Sequence, residues 1–200
     1  MPDCMMQSQG VPPSSRRAAV FLDRDDTLIA NREVTASTAH PGDLCDPALV
    51  RLLPGVREGL CRLALRGFAL IVVSNQGCVA RGVCTLGQVH DCNERLRALL
   101  RASEGGRPGV ELDAVYVCPY HPEGRVPGFS IEHPWRKPAP GMLLQAAKDL
   151  DLDLRRSWMI GDSARDRDAA INAGIPGERT IIVDGLSGFA RAVDRVIQGA

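Results

Sequence analysis

Three aspartates stand together where the first apolar run of this 200-residue chain ends. The run 18–22 is followed by Asp23, Asp25 and Asp26. Five consecutive apolar residues predict a strand that is buried on both faces. Carboxylates this close repel one another and raise one another's pKa unless a cation or several hydrogen bonds compensate. The cluster therefore predicts a bound metal at the strand end, with an ordinary acidic loop as the alternative.

Two later apolar runs also end in polar residues. The run 68–73 is followed by Ser74, Asn75, Gln76 and Gly77, and the run 157–160 is followed by Gly161, Asp162, Ser163 and, slightly later, Asp166. A hydroxyl, an amide and free backbone N–H groups can hold phosphate oxygens, and glycine lets the backbone approach closely. Because Ser-Asn turns are also common at strand ends without a ligand, the first of these clusters is a weak signal by itself.

A basic pair, Arg136 and Lys137, closes a stretch that contains six prolines between residues 119 and 140. Proline fixes the backbone without forming helix or strand, so the stretch predicts a stiff, irregular loop. A predicted helix from 142 to 150 follows directly, and helix N-termini attract anions. Basic pairs are usually solvated surface groups, so the position of this one, rather than its charge, makes it a candidate anion site.

Together these residue types fit phosphoryl transfer. A carboxylate nucleophile cannot readily approach a phosphate dianion, because both are negative; a divalent cation held by oxygen ligands removes that obstacle. The candidate ligands are Asp23, Asp25 and Asp162. Arg136 and Lys137 would then hold the phosphate charge as it redistributes in the transition state.

Strands that alternate with helices must bring these groups to one place. Helices are predicted from residue 56 to Gly67, after the candidate cap Thr85, over Ala169, Ala170 and Ala173 up to Gly174, and from Ser187 onward. They separate the apolar runs, which predicts an α/β fold with a doubly wound parallel sheet. Ligands bind at the carboxyl ends of strands in such sheets. Residues 30–46 show neither helical nor strand periodicity and predict a long loop beside the carboxylates, a candidate substrate cover.

Composition favours one cytoplasmic globular domain. Residues 18–200 form this domain, and residues 1–17 are interpreted as a flexible N-terminal tail without the apolar core of a signal peptide. Acidic and basic residues balance at 24 each, so we expect no nucleic-acid or membrane partner. Seven scattered cysteines indicate a reducing compartment and no redox role. The expected partner is a small phosphorylated metabolite, bound by a monomer or weak oligomer.

Taken in chain order, with Lys137 before Gly161 and Asp162, the four clusters resemble the four motifs of haloacid dehalogenase (HAD) superfamily phosphatases. The resemblance implies a Rossmann-like HAD fold with a small cap or none. It implies that Asp23 attacks phosphorus and that Asp25 is the general acid and base. Mg²⁺ would be held by Asp23, the backbone carbonyl of Asp25, and Asp162. Ser74 and Lys137 would bind the phosphoryl group and Asp166 would orient Lys137.

A closer resemblance, over most of residues 18–175, is to the D-glycero-D-manno-heptose 1,7-bisphosphate 7-phosphatases and the related histidinol-phosphatases. It implies a Mg²⁺-dependent phosphomonoesterase acting on a sugar phosphate, with substrate contacts from Ser74, Asn75, Gln76, Gly77, Arg136, Lys137 and Ser163 and a looser match at residues 31–34. The alternatives are histidinol phosphate or a 3′-phosphorylated nucleic-acid end as substrate, or a catalytically silent sensor of a phosphorylated ligand.

Two features depart from that family's pattern: the ligand set of a zinc site and the residue at position 26. The family's loop usually binds a structural zinc through Cys-x-His and Cys-x-Cys; here Cys118 remains, while Tyr120, His133 and Trp135 replace the other ligands. Tyrosine and tryptophan are not credible zinc ligands, so we expect no four-ligand zinc site, with a residual site at Cys118, His121 and His133 as the alternative. Asp26 stands where close relatives favour glycine.

Overall fold

The computed structural model describes residues 16–103, 108–184 and 188–199, and parallel strands form its centre. Each strand pairs in parallel with its neighbours, in the order β3-β2-β1-β4-β5. The strands are β1 (Ala19–Leu22), β2 (Ala69–Asn75), β3 (Ala114–Cys118), β4 (Trp158–Gly161) and β5 (Thr180–Ile182). The predicted doubly wound parallel sheet is therefore confirmed.

Helices connect the strands and cover both faces of the sheet. They are α1 (Arg32–Thr35), α2 (Val56–Leu65), α3 (Cys78–Arg81), α4 (Leu86–Arg101), α5 (Gly141–Asp149), α6 (Ala164–Ala173) and α7 (Gly188–Gln198). Thr85 caps α4 in a capping box with Gln88, as the sequence predicts for Thr85, and Gly174 ends α6 at a φ of 98°. Ser187, the predicted start of the last helix, lies outside the described residues.

The central strand β1 is apolar throughout because both of its faces are covered. Val20 and Leu22 pack into a cluster with α2, α4 and α7, whereas Ala19 and Phe21 pack into a second cluster with α5 and α6. All four side chains are fully buried. Replacing Phe21 by alanine would leave a cavity and cost about 3–5 kcal/mol of stability.

The register of the strands brings the polar clusters to one edge. Leu22, the last residue of β1, lies opposite Val72 of β2 and Ile160 of β4, so the polar residues that follow these positions lie at the same edge of the sheet. The Asp23 backbone N–H extends the β4 pairing by donating to the Ile160 carbonyl at 2.9 Å. The chain runs from β1 to β2 on one side and from β4 to β5 on the other, and the crevice of a doubly wound sheet opens at such a reversal, here between β1 and β4.

The predicted loop 30–46 contains one helical turn, α1, that periodicity could not reveal. The Asp26 carboxylate accepts hydrogen bonds from the backbone N–H groups of Asn31 and Arg32, both at 3.0 Å. The Thr35 hydroxyl donates to the Asn31 carbonyl at 2.7 Å. These side-chain bonds stabilise a turn too short to show a hydrophobic period. By contrast, residues 119–140 contain no helix or strand, as predicted.

Of the predicted tail 1–17, the structure describes only residues 16 and 17. Residues 1–15 lie outside the described residues. Arg17, the last residue assigned to the tail, forms a bridge with Leu152 and donates to the carbonyls of Gly67 and Phe68, so it belongs with the domain. None of the helices in the described ranges is long and apolar enough to cross a membrane.

Two of the seven cysteines are paired, which the scattered spacing of the cysteines did not predict. Cys45, in the loop after α1, forms a disulfide with Cys84, just before α4. Cys78 and Cys92 are free and fit the expectation of no redox role, because burial raises the pKa of each thiol to about 11 and keeps it protonated. Spacing alone could not pair Cys45 with Cys84, because 39 residues separate them.

Candidate active site

A buried lysine holds two aspartates together at the carboxyl edge of the sheet. Lys137 Nζ donates to Asp23 Oδ1 at 2.7 Å, to Asp166 Oδ1 at 2.6 Å and to the Val73 carbonyl at 2.7 Å. All three donors of the ammonium group are thus satisfied. We call Asp23, Lys137 and Asp166 the charged floor; their exposed fractions are 7, 3 and 2 %.

Backbone contacts fix each member of the charged floor. Asp23 follows β1 directly, and Lys137 is held by the Asn75 amide, which accepts from the Lys137 N–H and donates to its carbonyl, both at 3.0 Å. Asp166 lies in the first turn of α6, where its Oδ2 accepts from the Ser163 N–H and hydroxyl. A Cβ on Gly161 would overlap the Asp166 carboxyl group, so glycine is required there.

Burial and charge act against each other in the floor. Burial, with the nearby carboxylates of Asp166 and Asp25, raises the pKa of Asp23 to about 7, although Lys137 opposes the shift. For Lys137, burial acts to lower the pKa, but the charges of Asp23 and Asp166 outweigh it and the pKa is raised. Lys137 therefore stays charged at neutral pH. A further cation beside Asp23 would favour its ionised form.

Carboxylate oxygens from Asp23, Asp162 and Asp166 lie within 4.8 Å of one another. Burial and the charge of Asp166 raise the pKa of Asp162, although Arg32 opposes the shift. Three oxygen donors under this electrostatic pressure fit a hard divalent cation such as Mg²⁺. The Asp25 carboxylate is not in this group, which leaves its backbone carbonyl as the part that the resemblance assigns to the metal.

The Asp25 carboxylate is instead held at the side of the floor. Gln76 Nε2 donates to Asp25 Oδ2 and to Ser74 Oγ, both at 2.8 Å. Arg24 donates to both Asp25 oxygens at 3.0–3.1 Å and to Asn93 of α4 at 2.8 Å. Asp25 is thus fixed beside the floor and partly exposed, as a proton donor and acceptor needs to be.

A cavity of about 200 Å³ opens above the floor. Of the residues predicted to contact substrate, those that line it are Asn75, Gln76, Gly77, Arg136, Lys137 and Ser163. Ser74 is buried behind Gln76 and does not line it. A larger, mostly apolar depression of about 1030 Å³ lies over α2, and no strand-end acid lines it. The smaller cavity is therefore the candidate active site.

Four arginines surround the mouth of this cavity: Arg32, Arg81, Arg136 and Arg165. We call them the arginine rim. Burial, and then the like charges of Arg165 and Arg81, lower the pKa of Arg136, which shows that these guanidinium groups sense one another. An anion between them would relieve this repulsion. The rim is thus a place for negatively charged parts of a ligand.

Sequence reasoning missed Arg24, Asn93 and Arg165. Arg24 is fully buried between acids, and Asn93 is 7 % exposed on the inner face of α4. A polar residue on an apolar helical stripe was the available signal for Asn93, because buried polar groups need partners. No signal distinguished Arg165 from other surface arginines, since only the fold brings the start of α6 to the cavity.

The proline-rich stretch is packed by aromatic rings. The Tyr120 ring stacks on His133 with centroids 4.0 Å apart, and Trp135 meets Tyr116 edge-on at 6.0 Å. His133 Nδ1 accepts from the Trp135 N–H at 3.1 Å. Within the described ranges, Cys118 is not part of a ligand group that could hold a metal. Ring packing therefore orders the loop that carries Arg136 and Lys137.

Comparison with known sequences matches residues 134–191 to the HAD-hydrolase-like family model. The D-glycero-D-manno-heptose-1,7-bisphosphate 7-phosphatase of Thermosynechococcus vestitus is 43 % identical over 187 residues, which span 92 % of this chain and 85 % of that protein. This chain belongs to the heptose 1,7-bisphosphate 7-phosphatase family of HAD-like hydrolases. A family member from Yersinia pestis, named a D-glycero-beta-D-manno-heptose-1,7-bisphosphate 7-phosphatase, is 38 % identical over 84 % of this chain and 81 % of its own length.

Solved structures agree with the family assignment. A HAD-like phosphatase from Mesorhizobium loti superimposes with a TM-score of 0.76 at 31 % identity, covering 98 % of this chain and 92 % of that one. A D,D-heptose 1,7-bisphosphate phosphatase from B. bronchiseptica, complexed with magnesium and phosphate, gives 0.67 at 25 % identity, covering 92 and 99 %. The HAD fold and phosphatase class expected from the four motifs are therefore confirmed.

Proposed function

We propose that this phosphatase hydrolyses the 7-phosphate of D-glycero-D-manno-heptose 1,7-bisphosphate with the help of Mg²⁺. The observation that carries the proposal is the charged floor, in which one buried lysine joins Asp23 to Asp166 next to Asp162. This arrangement combines a carboxylate nucleophile, a fixed positive charge and oxygen ligands for a cation. The named relatives supply the sugar, because they are heptose bisphosphate phosphatases.

In the proposed reaction Asp23 attacks phosphorus while the bond from phosphorus to the sugar oxygen breaks. Asp25 donates its proton to that oxygen, which leaves as an alcohol. Asp25 then takes a proton from water, whose oxygen attacks phosphorus and releases inorganic phosphate and the Asp23 carboxylate. Bound Mg²⁺, held by Asp23, Asp162 and the Asp25 carbonyl, would neutralise phosphate charge.

The surrounding residues divide into two proposed roles. Lys137 binds the phosphoryl group and Asp166 orients Lys137, consistent with their 2.6 Å ion pair. Five residues that line the cavity stand as proposed substrate contacts: Asn75, Gln76, Gly77, Arg136 and Ser163. A substrate contact from Ser74, which lies behind Gln76 and does not line the cavity, stays a prediction. For three of these residues, the contacts also support a holding role: Asn75 fixes the Lys137 backbone, and the Gln76–Ser74 pair fixes Asp25.

We also propose that the chain folds without a structural zinc. His133 and Tyr120 stand at two of the four family ligand positions, and their stacked rings pack the loop. His121 Nδ1 accepts a hydrogen bond from the Glu123 N–H, so this ring nitrogen is used within the local turn. Elemental analysis should find less than stoichiometric zinc. A monomeric or weakly associated state, the absence of a nucleic-acid partner and a cytoplasmic location stay predictions.

Phosphate release by the purified protein, with and without Mg²⁺, tests the function. We expect heptose 1,7-bisphosphate to be preferred over fructose 1,6-bisphosphate, histidinol phosphate and a 3′-phosphorylated oligonucleotide. Asp23→Asn should abolish turnover while leaving the circular dichroism spectrum unchanged, because asparagine has the same shape and the buried Lys137 keeps Asp166 as a partner. A wild type that binds the bisphosphate without releasing phosphate would instead identify a sensor.

A further inference from the structure

Asp26 adopts a backbone conformation that glycine would adopt more easily. Its φ is 56°, in the left-handed region that is unfavourable for most side chains. The side chain compensates through contacts: Oδ1 accepts from the N–H groups of Asn31 and Arg32, and Oδ2 lies 3.4 Å from Arg32 Nε. Asp26 thus caps α1 and holds the arginine at its start.

Arg32 is carried by this cap to the opening above the floor. Its Nη2 donates to Asp162 Oδ2 at 2.8 Å. A carboxylate oxygen of Asp162 lies within 4.8 Å of a carboxylate oxygen of Asp23, the candidate nucleophile. The Arg32 side chain nevertheless remains 72 % exposed. Its guanidinium group is therefore close to the reaction centre and has room to reorient.

Arg32 differs from the other three arginines of the rim in the groups that its side chain contacts. Arg81 is paired with Asp43 at 2.6 Å, and Arg136 Nη1 donates to the Tyr120 carbonyl at 3.2 Å. The Arg165 side chain makes no hydrogen bond or ion pair to another described residue. Arg32 alone among the rim arginines contacts a carboxylate of the metal-ligand group, Asp162. A cation bound there would compete with Arg32 for that carboxylate.

We propose that Asp26 and Arg32 form a specificity element: Arg32 binds the second phosphate of a sugar bisphosphate, the one that is not transferred, and Asp26 is its positioning residue. The inference rests on the proposed function and extends it: the resemblance gives residues 31–34 only as a loose match for substrate contact, and it assigns no particular phosphate to Arg32 and no role to Asp26. A guanidinium group offers two parallel N–H donors to a phosphate, and it stays charged at every working pH. Once a cation occupies Asp162, these donors are available to the substrate.

The test compares a sugar 1,7-bisphosphate with the matching 7-monophosphate in wild type and Arg32→Ala. Loss of one charge-assisted contact should raise KM for the bisphosphate about tenfold, leave kcat within about twofold and change KM for the monophosphate by less than about twofold. Arg51→Ala is the matched control, because Arg51 is an exposed arginine paired with Glu33 of α1 but does not line the cavity. It should change neither KM.

Two substitutions separate positioning from charge. Asp26→Gly suits the backbone angle but removes the cap, so it should reproduce part of the bisphosphate-specific rise in KM. Asp26→Asn keeps a carbonyl oxygen that can accept from the same N–H groups, so it should stay close to wild type. If both variants lose activity equally on the two substrates, Asp26 supports the fold rather than Arg32 and the positioning role is wrong.

Calorimetry gives a readout that does not depend on turnover. In an Asp23→Asn background with Mg²⁺ present, adding Arg32→Ala should weaken binding of the bisphosphate about tenfold and that of the monophosphate little. An Arg32→Ala protein that only binds Mg²⁺ more tightly would show that Arg32 is merely a counter-ion of Asp162. If the wild type hydrolyses sugar phosphates but Arg32→Ala affects the bisphosphate and the monophosphate equally, this inference alone is wrong. If the wild type neither binds nor hydrolyses either sugar phosphate, the proposed function is wrong as well.

Discussion

The floor and the rim of one cavity are built in opposite ways. In the charged floor, Lys137 has an exposed fraction of 3 % and ion pairs of 2.6 and 2.7 Å to two buried carboxylates. In the arginine rim, the Arg32 and Arg81 side chains are 72 and 39 % exposed, and each is paired with an acid that itself borders the cavity. Charge is fixed in the floor and movable at the rim.

This difference separates two tasks of a phosphatase. A buried pair is costly to break, because the remaining charge is left without water or partner. An exposed pair contributes little to stability and can exchange its partner for a ligand. We therefore expect changes in the floor to affect turnover and folding together, and changes at the rim to affect substrate choice or local order alone.

The largest expected effect follows from Lys137→Met, which removes the cation from the floor. Turnover should fall by about three orders of magnitude or more, because the lost charge faces the transferred phosphoryl group in the proposed reaction. Two buried carboxylates would also lose their partner, at about 3–5 kcal/mol of stability. Urea unfolding and phosphate release measure the two losses. The control Lys148→Met changes an exposed lysine on α5 and should do neither.

If Lys137→Met retained wild-type turnover, the charged floor could not be the catalytic centre. If it lost turnover but no stability, the ion pairs of the floor would contribute less to folding than their burial indicates. Either outcome would weaken the contrast with the rim.

A smaller effect should follow from Gly161→Ala, which changes the floor without removing a charge. The added methyl group would overlap the Asp166 carboxyl group, so Asp166 must move away from Lys137. A displaced orienting group should lower kcat about 10- to 100-fold, because phosphoryl transfer depends on position. Gly87→Ala on α4 is the matched control, since its nearest neighbour would be a hydroxyl at 3.7 Å. That variant should be active and slightly more stable.

The floor was largely predictable from the sequence, whereas in the rim only Arg136 was singled out and Arg32 lay within a looser match at residues 31–34. Asp23, Asp162 and Asp166 follow apolar strands, so alternating strands and helices predict that they meet at one edge. Arg32 depends on a single helical turn held by Asp26, and Arg165 depends on where α6 starts in space. Exposed arginines show no periodicity that marks them as part of a site. The disulfide between Cys45 and Cys84 joins two loops, and no periodicity in the sequence marks such a pair either.

Magnesium offers a test of the floor that does not use a substrate. At 100 times its Kd, a bound cation should stabilise the protein by about 2.7 kcal/mol and raise Tm by about 5–10 °C. Asp162→Asn should abolish most of this shift, because it removes one of the three carboxylates within 4.8 Å. Arg32→Ala should keep the shift or enlarge it. An equal shift in wild type and Asp162→Asn would place the cation elsewhere.

The smallest effect on turnover should follow from opening the disulfide between Cys45 and Cys84. The bond joins the loop that carries Asp43 to the segment after Arg81, and Asp43 and Arg81 also form an ion pair across the same gap. Since it crosslinks residues 39 apart in the chain, its loss in Cys84→Ser should cost about 2–4 kcal/mol in non-reducing buffer. Turnover should change by less than about threefold, because β1 and α6, which carry Asp23 and Asp166, lie outside the crosslinked segment 45–84. With a dithiol reductant present, wild type and variant should unfold at similar urea concentrations. A tenfold loss of kcat in Cys84→Ser would show instead that the rim and the floor move as one unit, since the substitution lies outside the floor and changes none of its hydrogen bonds.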